Sequence, residues 1–128
     1  MSVVKYLLDE NVDPLYRREL LRREPSMTVM KMGDFGALPE GSLDPEILDW
    51  CQANGFLPVT NNRTSMPVHM SDHIAMGHHA EGVLILSPNL IIGQTLDILV
   101  LIRGASELEE YQNQIVHLPL RPTGTALP

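Results

Sequence analysis

Short apolar runs alternate with amphipathic segments along most of the chain. The apolar runs have the length expected of strands that are buried on both faces. Proline, glycine, or an acid followed by proline marks where the amphipathic segments begin and end. The predicted strands are 3–8, 28–32, 56–59, 83–86 and 115–118. The predicted helices are 14–24, 44–54, 64–76 and 93–103, and in one interpretation the last helix continues through 107–112.

This alternation of strands and helices predicts a three-layer α/β fold of Rossmann-like type. A mainly parallel sheet of five strands would carry helices on both of its faces. The chain of 128 residues is expected to form one domain over 1–118, followed by an irregular tail at 119–128. Right-handed crossovers are expected, and parallel pairing brings the carboxyl ends of the strands to one edge of the sheet.

Polar side chains are concentrated where the predicted strands end. Asp9 follows the first strand directly, and Asp44 begins the second helix, which faces the same edge. Ligands bind at this edge in open α/β sheets, and we therefore expect a functional site there. The polar residues expected at the edge are Asp9, Glu10, Asn11, Asp34, Asp44, Asn61, Asn62, Arg63, Ser87 and Asn89.

Asp9 and Asp44 are the strongest pair of carboxylates for a metal site. Mg²⁺ and Mn²⁺ prefer oxygen ligands, and such an ion activates water and stabilises charge on a phosphate under attack. Cys51 is the only cysteine, which excludes an internal disulfide and a cysteine-based metal site. A structural role stays open for both acids. Asp9 would stabilise the turn after the strand, and Asp44 would cap its helix, a contribution of about 1 kcal/mol.

The stretch KYLLDEN at residues 5–11 resembles the opening of a small PIN-like family, whose members begin with a strand and the sequence LLDEN. Two later segments are also similar to that family. The sequence DPEIL at 44–48 resembles its acid-led helix, and FLPVT at 56–60 resembles its strand before a T-x-D motif. The resemblance covers about residues 3–102, which is most of the chain.

The resemblance implies a metal-dependent ribonuclease of toxin–antitoxin type, with RNA as substrate and a cognate antitoxin-type protein as partner. It implies Asp9 and Asp44 as ligands of Mg²⁺ or Mn²⁺ for phosphodiester hydrolysis. Asn62 stands where the family pattern has an aspartate, and Thr64 where it has a further acid. Losing those charges weakens divalent-metal affinity. The alternative is therefore a catalytically inactive PIN-like module that binds RNA, nucleotide or a protein partner.

Further polar residues complete the predicted site. Arg63 is assigned to the catalytic set because a guanidinium binds phosphate and replaces part of the electrostatic role of a metal. Asn62 joins that set because its amide carbonyl is a possible ligand. Asn11, Asn61 and Ser65 are predicted to bind substrate.

The histidines near the third helix allow several interpretations. His69 and His73 are four residues apart and share one helix face, and His78 and His79 follow at the helix end. They form an exposed polar stripe or a site for Zn²⁺ or Ni²⁺. In a third interpretation, His69 or His73 contacts phosphate or acts as a general acid at the edge. Asp72 would add a carboxylate if this helix leans over the edge.

The charge and the apolar content of the chain limit which partners and which cellular compartment are expected. The net charge of −7 is unlike that of a general nucleic-acid binder, so an RNA partner requires a local basic patch. The first helix carries several arginines, which form either a solvated face or a docking patch for RNA or an acidic partner. Those arginines are Arg17, Arg18, Arg22 and Arg23.

The longest apolar stretch, 90–102, is too short and too interrupted for a membrane span, and residue 5 breaks any signal-like pattern. A cytoplasmic protein without a membrane partner is therefore expected. The apolar residues of the fourth helix exceed one stripe. That helix is either buried between the sheet and another element or part of a homodimer surface.

Overall fold

The computed structural model describes residues 2–119 and has a five-stranded, all-parallel sheet with helices on both faces. The predicted three-layer α/β fold is confirmed. The predicted tail lies outside the described residues from 120 onward. The strands are β1 (Tyr6–Leu8), β2 (Val29–Lys31), β3 (Leu57–Thr60), β4 (Val83–Ile85) and β5 (Ile115–His117). The helices are α1 (Leu15–Arg23), α2 (Asp44–Asn54), α3 (Ser65–Ala75) and α4 (Ile92–Ala105).

The order of the strands is β2-β1-β3-β4-β5. The central strands β1, β3 and β4 are buried on both faces, because their side chains alternate between two apolar layers, whereas the edge strand β5 is only partly buried. Tyr6 and Leu8 pack with α1 and α4, whereas Leu7 packs with α2 and α3. Each face of the sheet is therefore covered by two helices.

The connection through α4 has the opposite hand to the other three crossovers. The chain moves across the sheet in the same direction from β3 to β4 and from β4 to β5, but α3 and α4 lie on opposite faces. The expectation of uniformly right-handed crossovers is therefore wrong at α4. On this face Leu96, Leu99 and Ile102 pack in one apolar layer with residues of β1, β3 and β4, which buries apolar surface of both the helix and the sheet.

The possible continuation of the fourth helix through residue 112 is wrong. The chain leaves the helical conformation at Ser106, where φ is −132° and ψ is 164°. It then forms a short 3₁₀ helix, Leu108–Tyr111, whose first and last residues are buried. The hydroxyl of Tyr111 lies 2.7 Å from the Ser106 hydroxyl oxygen and donates to it. The break lets Leu108 and Tyr111 pack into the core that α1 and α4 cover.

Most of the apolar residues of α4 that exceed a single stripe are buried in the core. Leu96, Leu99 and Ile102 are buried against the sheet, whereas Leu101 is 63% exposed. No helix within residues 2–119 has the length and apolar character needed to cross a membrane.

Parallel pairing places the carboxyl ends of all five strands at one edge of the sheet, called the carboxyl edge below. At the centre of this edge β1 lies beside β3, and the Asp9 N–H donates to the Val59 carbonyl at 3.0 Å. The helices that follow these two strands, α1 and α3, pack on opposite faces of the sheet. The chain therefore opens a crevice between β1 and β3, at the topological switch point of the fold.

Candidate functional site

Asp9 is the first residue after β1, and its side chain is held by the neighbouring strand. Its Oδ2 accepts a hydrogen bond of 2.9 Å from the hydroxyl of Thr60, the buried last residue of β3. The carboxylate itself is partly exposed. The parallel pairing of β1 with β3 thus fixes the orientation of Asp9 while leaving it open to a ligand.

Asn62 links Thr60 to the start of α3. Its backbone N–H donates to the Thr60 hydroxyl oxygen at 3.0 Å. Its Oδ1 accepts the backbone N–H groups of Thr64 and Ser65 at 3.2 and 3.0 Å. Both lone-pair directions of this oxygen are therefore used, and the predicted ligation of a metal through it does not fit. Asn62 instead supplies a side-chain cap to the helix.

The Asn62 amide also positions the next hydroxyl. Its Nδ2 lies 2.5 Å from the Ser65 Oγ and donates to it. This assignment follows from the network, because the Asn62 oxygen is already engaged by two N–H groups. The Ser65 hydroxyl in turn donates its hydrogen to the Asp44 Oδ2, which only accepts, at 3.1 Å.

Asp44 is oriented toward α3 and does not cap α2. The capping group is Glu46, whose Oε1 accepts the Leu43 N–H at 2.7 Å. The Asp44 Oδ2 accepts from Ser65 and lies 2.9 Å from the Nδ1 of His69. His69 carries a proton on Nδ1 in this arrangement, since the carboxylate only accepts. The structural explanation of Asp44 as a helix cap is therefore wrong.

These contacts form one continuous chain of hydrogen bonds, called the carboxylate chain below. It connects elements from both sides of the β1–β3 crevice and joins the two predicted metal ligands. Within residues 2–119, the Oδ1 atoms of Asp9 and Asp44 have no hydrogen-bond donor. In order, the carboxylate chain consists of Asp9, Thr60, Asn62, Ser65, Asp44 and His69.

Asp9 and Asp44 would supply only two carboxylates to a metal ion, and its remaining ligands would have to come from water and substrate. The described residues contain no group of three or more acidic, histidine or cysteine side chains arranged around one ion. Mg²⁺ is commonly bound through one or two carboxylates, with water and substrate phosphates completing its shell. Asp9 and Asp44 each offer one free oxygen for such a site. A cage built from protein ligands alone does not fit.

The other side of the same loop lines a cavity of about 340 Å³, called the switch-point cavity below. Asn61 and Arg63 contribute to it, whereas Asn62 between them turns to the carboxylate chain. Asn61 also donates through Nδ2 to the Asn11 carbonyl at 3.3 Å, which ties the loops after β1 and β3 together. The cavity is lined by Asn11, Val12, Asp13, Tyr16, Asn61, Arg63, Leu86, Ser87, Pro88 and Leu90.

The predicted site residues therefore divide into two adjacent groups. Asp9, Asp44, Asn62 and Ser65 belong to the carboxylate chain, and Asn11, Asn61 and Arg63 line the switch-point cavity. Three further edge acids serve other purposes. Asp34 pairs with Arg17 and accepts the Lys31 N–H, and the Glu10 carboxylate accepts the Gly41 N–H. Asp72 is exposed to solvent and does not belong to the carboxylate chain.

The histidines of α3 separate into different environments. His69 reaches Asp44 at the carboxyl edge. His73 is 4% exposed, and its Nε2 lies 3.0 Å from the His79 carbonyl oxygen. The ring of His78 stacks on that of His73 with centroids 4.9 Å apart. The described residues do not arrange these rings as a metal site. The interpretation in which His69 faces the edge fits the structure.

The arginines of α1 are mostly paired with acids. Arg17, Arg22 and Arg23 form ion pairs with Asp34, Glu19 and Asp97. The pKa of Glu19 is lowered, mainly by its hydrogen bond from Arg22. Within residues 2–119, Arg18 is the one arginine of α1 without an ion pair or side-chain hydrogen bond. This favours the interpretation of a solvated face over that of a docking patch.

Thr60 and Tyr16 are site residues that the sequence analysis did not assign, whereas Ser87 was expected at the edge and lines the cavity. Thr60 carries a recognisable signal, because it is the last residue of a buried strand and precedes the polar run by one position. Tyr16 has no comparable signal, since its place in the cavity depends on how α1 packs beside the loop after β4. Cys51 is buried in the α2 face of the core, and this burial raises the pKa of its thiol and keeps it unreactive.

No family model, curated protein or solved structure matches the chain. The PIN-like family therefore stays a prediction, and it rests on the motifs at residues 5–11, 44–48 and 56–60.

Proposed function

We propose that the protein is a PIN-like, metal-dependent ribonuclease that hydrolyses phosphodiester bonds at the carboxyl edge with Mg²⁺ or Mn²⁺. The carboxylate chain is the observation that carries this proposal. It fixes two acids from different elements, Asp9 and Asp44, and leaves one oxygen of each open. The sequence resemblance supplies the reaction class, and the geometry supplies a pair of ligands suited to it.

Each residue of the site has a distinct role in this proposal. Asp9 and Asp44 would hold the ion, which when bound lowers the pKa of a water molecule and offsets charge on the phosphate. Thr60 and Ser65 orient these carboxylates through their hydroxyl groups. Arg63, exposed beside Asn62, donates to the phosphate.

His69 orients Asp44 and offers a route for a proton. Its Nδ1–H is committed to the Asp44 carboxylate. Nε2 is therefore the nitrogen through which this ring would exchange protons. After taking up a proton at Nε2, the imidazolium would give that proton to the leaving oxygen and return to the form that holds Asp44. This role is the general-acid interpretation of the sequence applied to His69 alone.

The second candidate function is binding of RNA or nucleotide without cleavage. It is favoured by Asn62, which replaces the third acid of the family pattern and uses its oxygen to cap α3. An antitoxin-type partner and a cytoplasmic location stay proposals that rest on the sequence. A homodimer is proposed from the exposed Leu101 of α4.

Cleavage of a fluorophore-quencher RNA in Mg²⁺, Mn²⁺ or EDTA tests the proposal. Asp9→Asn and Asp44→Asn should each lower kcat by about 100-fold or more, because each removes charge from the metal site. Asp72→Asn is the matched control, since this exposed acid of α3 lies outside the carboxylate chain. It should cleave at the wild-type rate.

Two results would contradict the nuclease. Cleavage that persists in EDTA, or that Asp9→Asn leaves unchanged, would mean that the activity does not use this site. RNA binding without cleavage in either metal would support the second candidate function instead. Circular dichroism of each variant checks that the fold is retained.

A further inference from the structure

We propose that the switch-point cavity binds a single unstacked nucleotide, with the base against Tyr16 and the phosphate at Arg63. The cavity lies between the loops that follow β1, β3 and β4. This is the crevice at which the strand order reverses, and open α/β sheets bind ligands there. Its volume of about 340 Å³ lies within the range of small-molecule sites.

The walls of the cavity suit the flat, apolar face of a base. Tyr16 is partly buried and packs against the core, which holds its ring in place. Leu86 is 7% exposed, and Leu90 is partly buried against the same core. Pro88 adds a rigid ring opposite the helix. Aromatic side chains stack on any base, so this wall recognises a nucleotide without selecting its identity.

Polar groups of the cavity match the sugar and the edges of the base. Asn11, Asn61 and Ser87 offer amide and hydroxyl groups, and the Asn61–Asn11 hydrogen bond braces the loops that carry them. Asp13 is the one acid among the lining residues, and its Oδ1 accepts the Leu15 N–H. Its second oxygen is available to a ribose hydroxyl.

Arg63 provides the charge that a phosphate requires. It is exposed and lines the cavity. Within residues 2–119, Arg63 and Arg18 are the lysine or arginine side chains that have neither an ion pair nor a hydrogen bond. Of these two, Arg63 alone borders the switch-point cavity. A guanidinium in this position binds a phosphate without first breaking an ion pair.

The loop after β3 places this nucleotide beside the carboxylate chain. Arg63 faces the cavity, whereas the preceding Asn62 contacts Ser65 and Thr60. A phosphate held by Arg63 would thus lie next to the site of hydrolysis. This positioning role rests on the proposed function, whereas binding of the nucleotide requires neither metal nor cleavage.

Calorimetric titration with AMP, adenosine and inorganic phosphate in EDTA tests the inference apart from nuclease activity. The wild type should bind AMP more tightly than either of its parts. Tyr16→Leu should weaken both AMP and adenosine by about fivefold or more, because stacking is lost. Arg63→Gln should weaken AMP by about tenfold and leave adenosine unchanged. Arg18→Gln, the matched control on the surface of α1, should leave both ligands unaffected.

A second variant guards against misfolding of Tyr16→Leu. Asn61 is exposed, so Asn61→Trp fills the mouth of the cavity without altering the core. It should abolish AMP binding while the unfolding midpoint stays at the wild-type value. Equal AMP affinity in the wild type, Tyr16→Leu, Asn61→Trp and Arg63→Gln would overturn the inference. An affinity for inorganic phosphate equal to that for AMP would overturn the role of the base.

The source of the nucleotide is distinguished by a further titration in EDTA. A ten-residue oligoadenylate that binds more tightly than AMP identifies the ligand as part of an RNA strand. AMP that binds at least as tightly identifies a free nucleotide. Failure of both ligands to bind at millimolar concentration would refute the cavity as a nucleotide site, whatever the result of the cleavage assay.

Discussion

Tyr6 shows how one side chain connects the first strand to the last helix. It is fully buried, and its hydroxyl donates to the Leu99 carbonyl of α4 at 2.7 Å. Burial is the main cause that raises the pKa of this hydroxyl above its ordinary value of 10.0. The folded protein therefore keeps the neutral form that the hydrogen bond requires.

Tyr6→Phe should lower the free energy of unfolding by about 1 kcal/mol at pH 7, because one buried hydrogen bond is lost. The pKa of Tyr6 is higher in the folded protein than in the unfolded chain. The neutral hydroxyl therefore contributes its full stability below pH 10, and this contribution is lost as the pH rises further. The wild type should therefore lose stability more steeply above pH 10 than the variant. Urea unfolding from pH 7 to 11 measures both effects.

Tyr16→Phe provides the control, since no hydrogen bond of the Tyr16 hydroxyl is present within residues 2–119. It should unfold as the wild type does at pH 7. An alkaline slope that Tyr6→Phe leaves unaltered would mean that Tyr6 ionises freely in the folded protein.

At the scale of residues, the sequence predicted the two carboxylates better than their partners. Asp9 was identifiable because it ends a buried strand, and Asp44 because it begins a helix at the same edge. The contact of Asp44 with His69 depends on the packing of α2 against α3. Hydropathy specifies that two helices pack together but not which polar side chains then meet, and so His69 kept three interpretations.

Helix α3 begins with a cap that comes from outside the helix. Asn62 precedes the first helical residue by three positions, and its oxygen accepts two backbone N–H groups. The residue that replaces an expected acid thus has a clear structural role. Substitutions of Asn62 can therefore be chosen to change either the stability of α3 or the charge at the carboxyl edge.

Asn62→Asp should retain the cap and change the free energy of unfolding by less than about 0.5 kcal/mol, whereas Asn62→Ala should lower it by about 1 kcal/mol. The added carboxylate should tighten Mn²⁺ binding roughly tenfold, because charge at the edge increases. Thermal unfolding and calorimetric titration with Mn²⁺ measure the two effects.

A charge-matched control for this experiment is Asn54→Asp, at the opposite end of α2 from Asp44. It adds the same charge away from the carboxyl edge and should leave Mn²⁺ affinity unchanged. Equal Mn²⁺ binding by the wild type and Asn62→Asp would show that position 62 does not contribute to a metal site.

At the scale of elements, every predicted strand and helix is present, but several boundaries differ. β1 begins at Tyr6, the first residue in register with both β2 and β3, whereas Lys5 contributes only its carbonyl, which accepts the Leu57 N–H at 2.7 Å. α2 has the predicted bounds, since Pro45 and Gly55 mark them through backbone geometry that only those residues favour. Apolar pattern thus predicts the existence of an element, and backbone chemistry predicts its ends.

At the scale of the whole molecule, a glycine before β4 allows the 3₁₀ helix to pack closely against the sheet. Gly82 precedes β4 and has a φ of +109°, which disfavours any side chain. A Cβ added at this position would lie 2.3 Å from the Tyr111 carbonyl oxygen. The 3₁₀ helix therefore docks on β4 only because this position has no side chain.

Gly82→Ala should lower the free energy of unfolding by at least about 2 kcal/mol, because backbone strain and the clash with Tyr111 combine. Gly93→Ala is the control in α4, where an added Cβ meets no atom within 4 Å. It should retain or increase stability, since alanine favours a helix more than glycine does. Urea unfolding measures both variants, and equal midpoints would contradict the role of the Gly82 contact.

The fold class followed from the alternation of elements, but the face on which α4 lies did not. Handedness favours the face of α2 and α3, and the sequence of α4 is apolar on more than one side. The choice is made by the apolar residues of other strands that remain uncovered, among them Tyr6 and Leu57. Such a long-range requirement is not visible in the sequence of the helix itself.

The loop after β3 contains two sites within a few residues, because consecutive side chains point to opposite sides. Asn61 and Arg63 serve the cavity, and Asn62 serves the carboxylates. Substitution of Asn61 should therefore alter the cavity and substitution of Asn62 the carboxylate chain, whereas Arg63 is proposed to serve both. Removal of a single residue from this loop is different, because it would shift Asn62 relative to Thr60 and Ser65 and also shift Arg63 relative to the cavity. Evolution can thus retune either site by substitution, but a change in the length of this loop would disable both together.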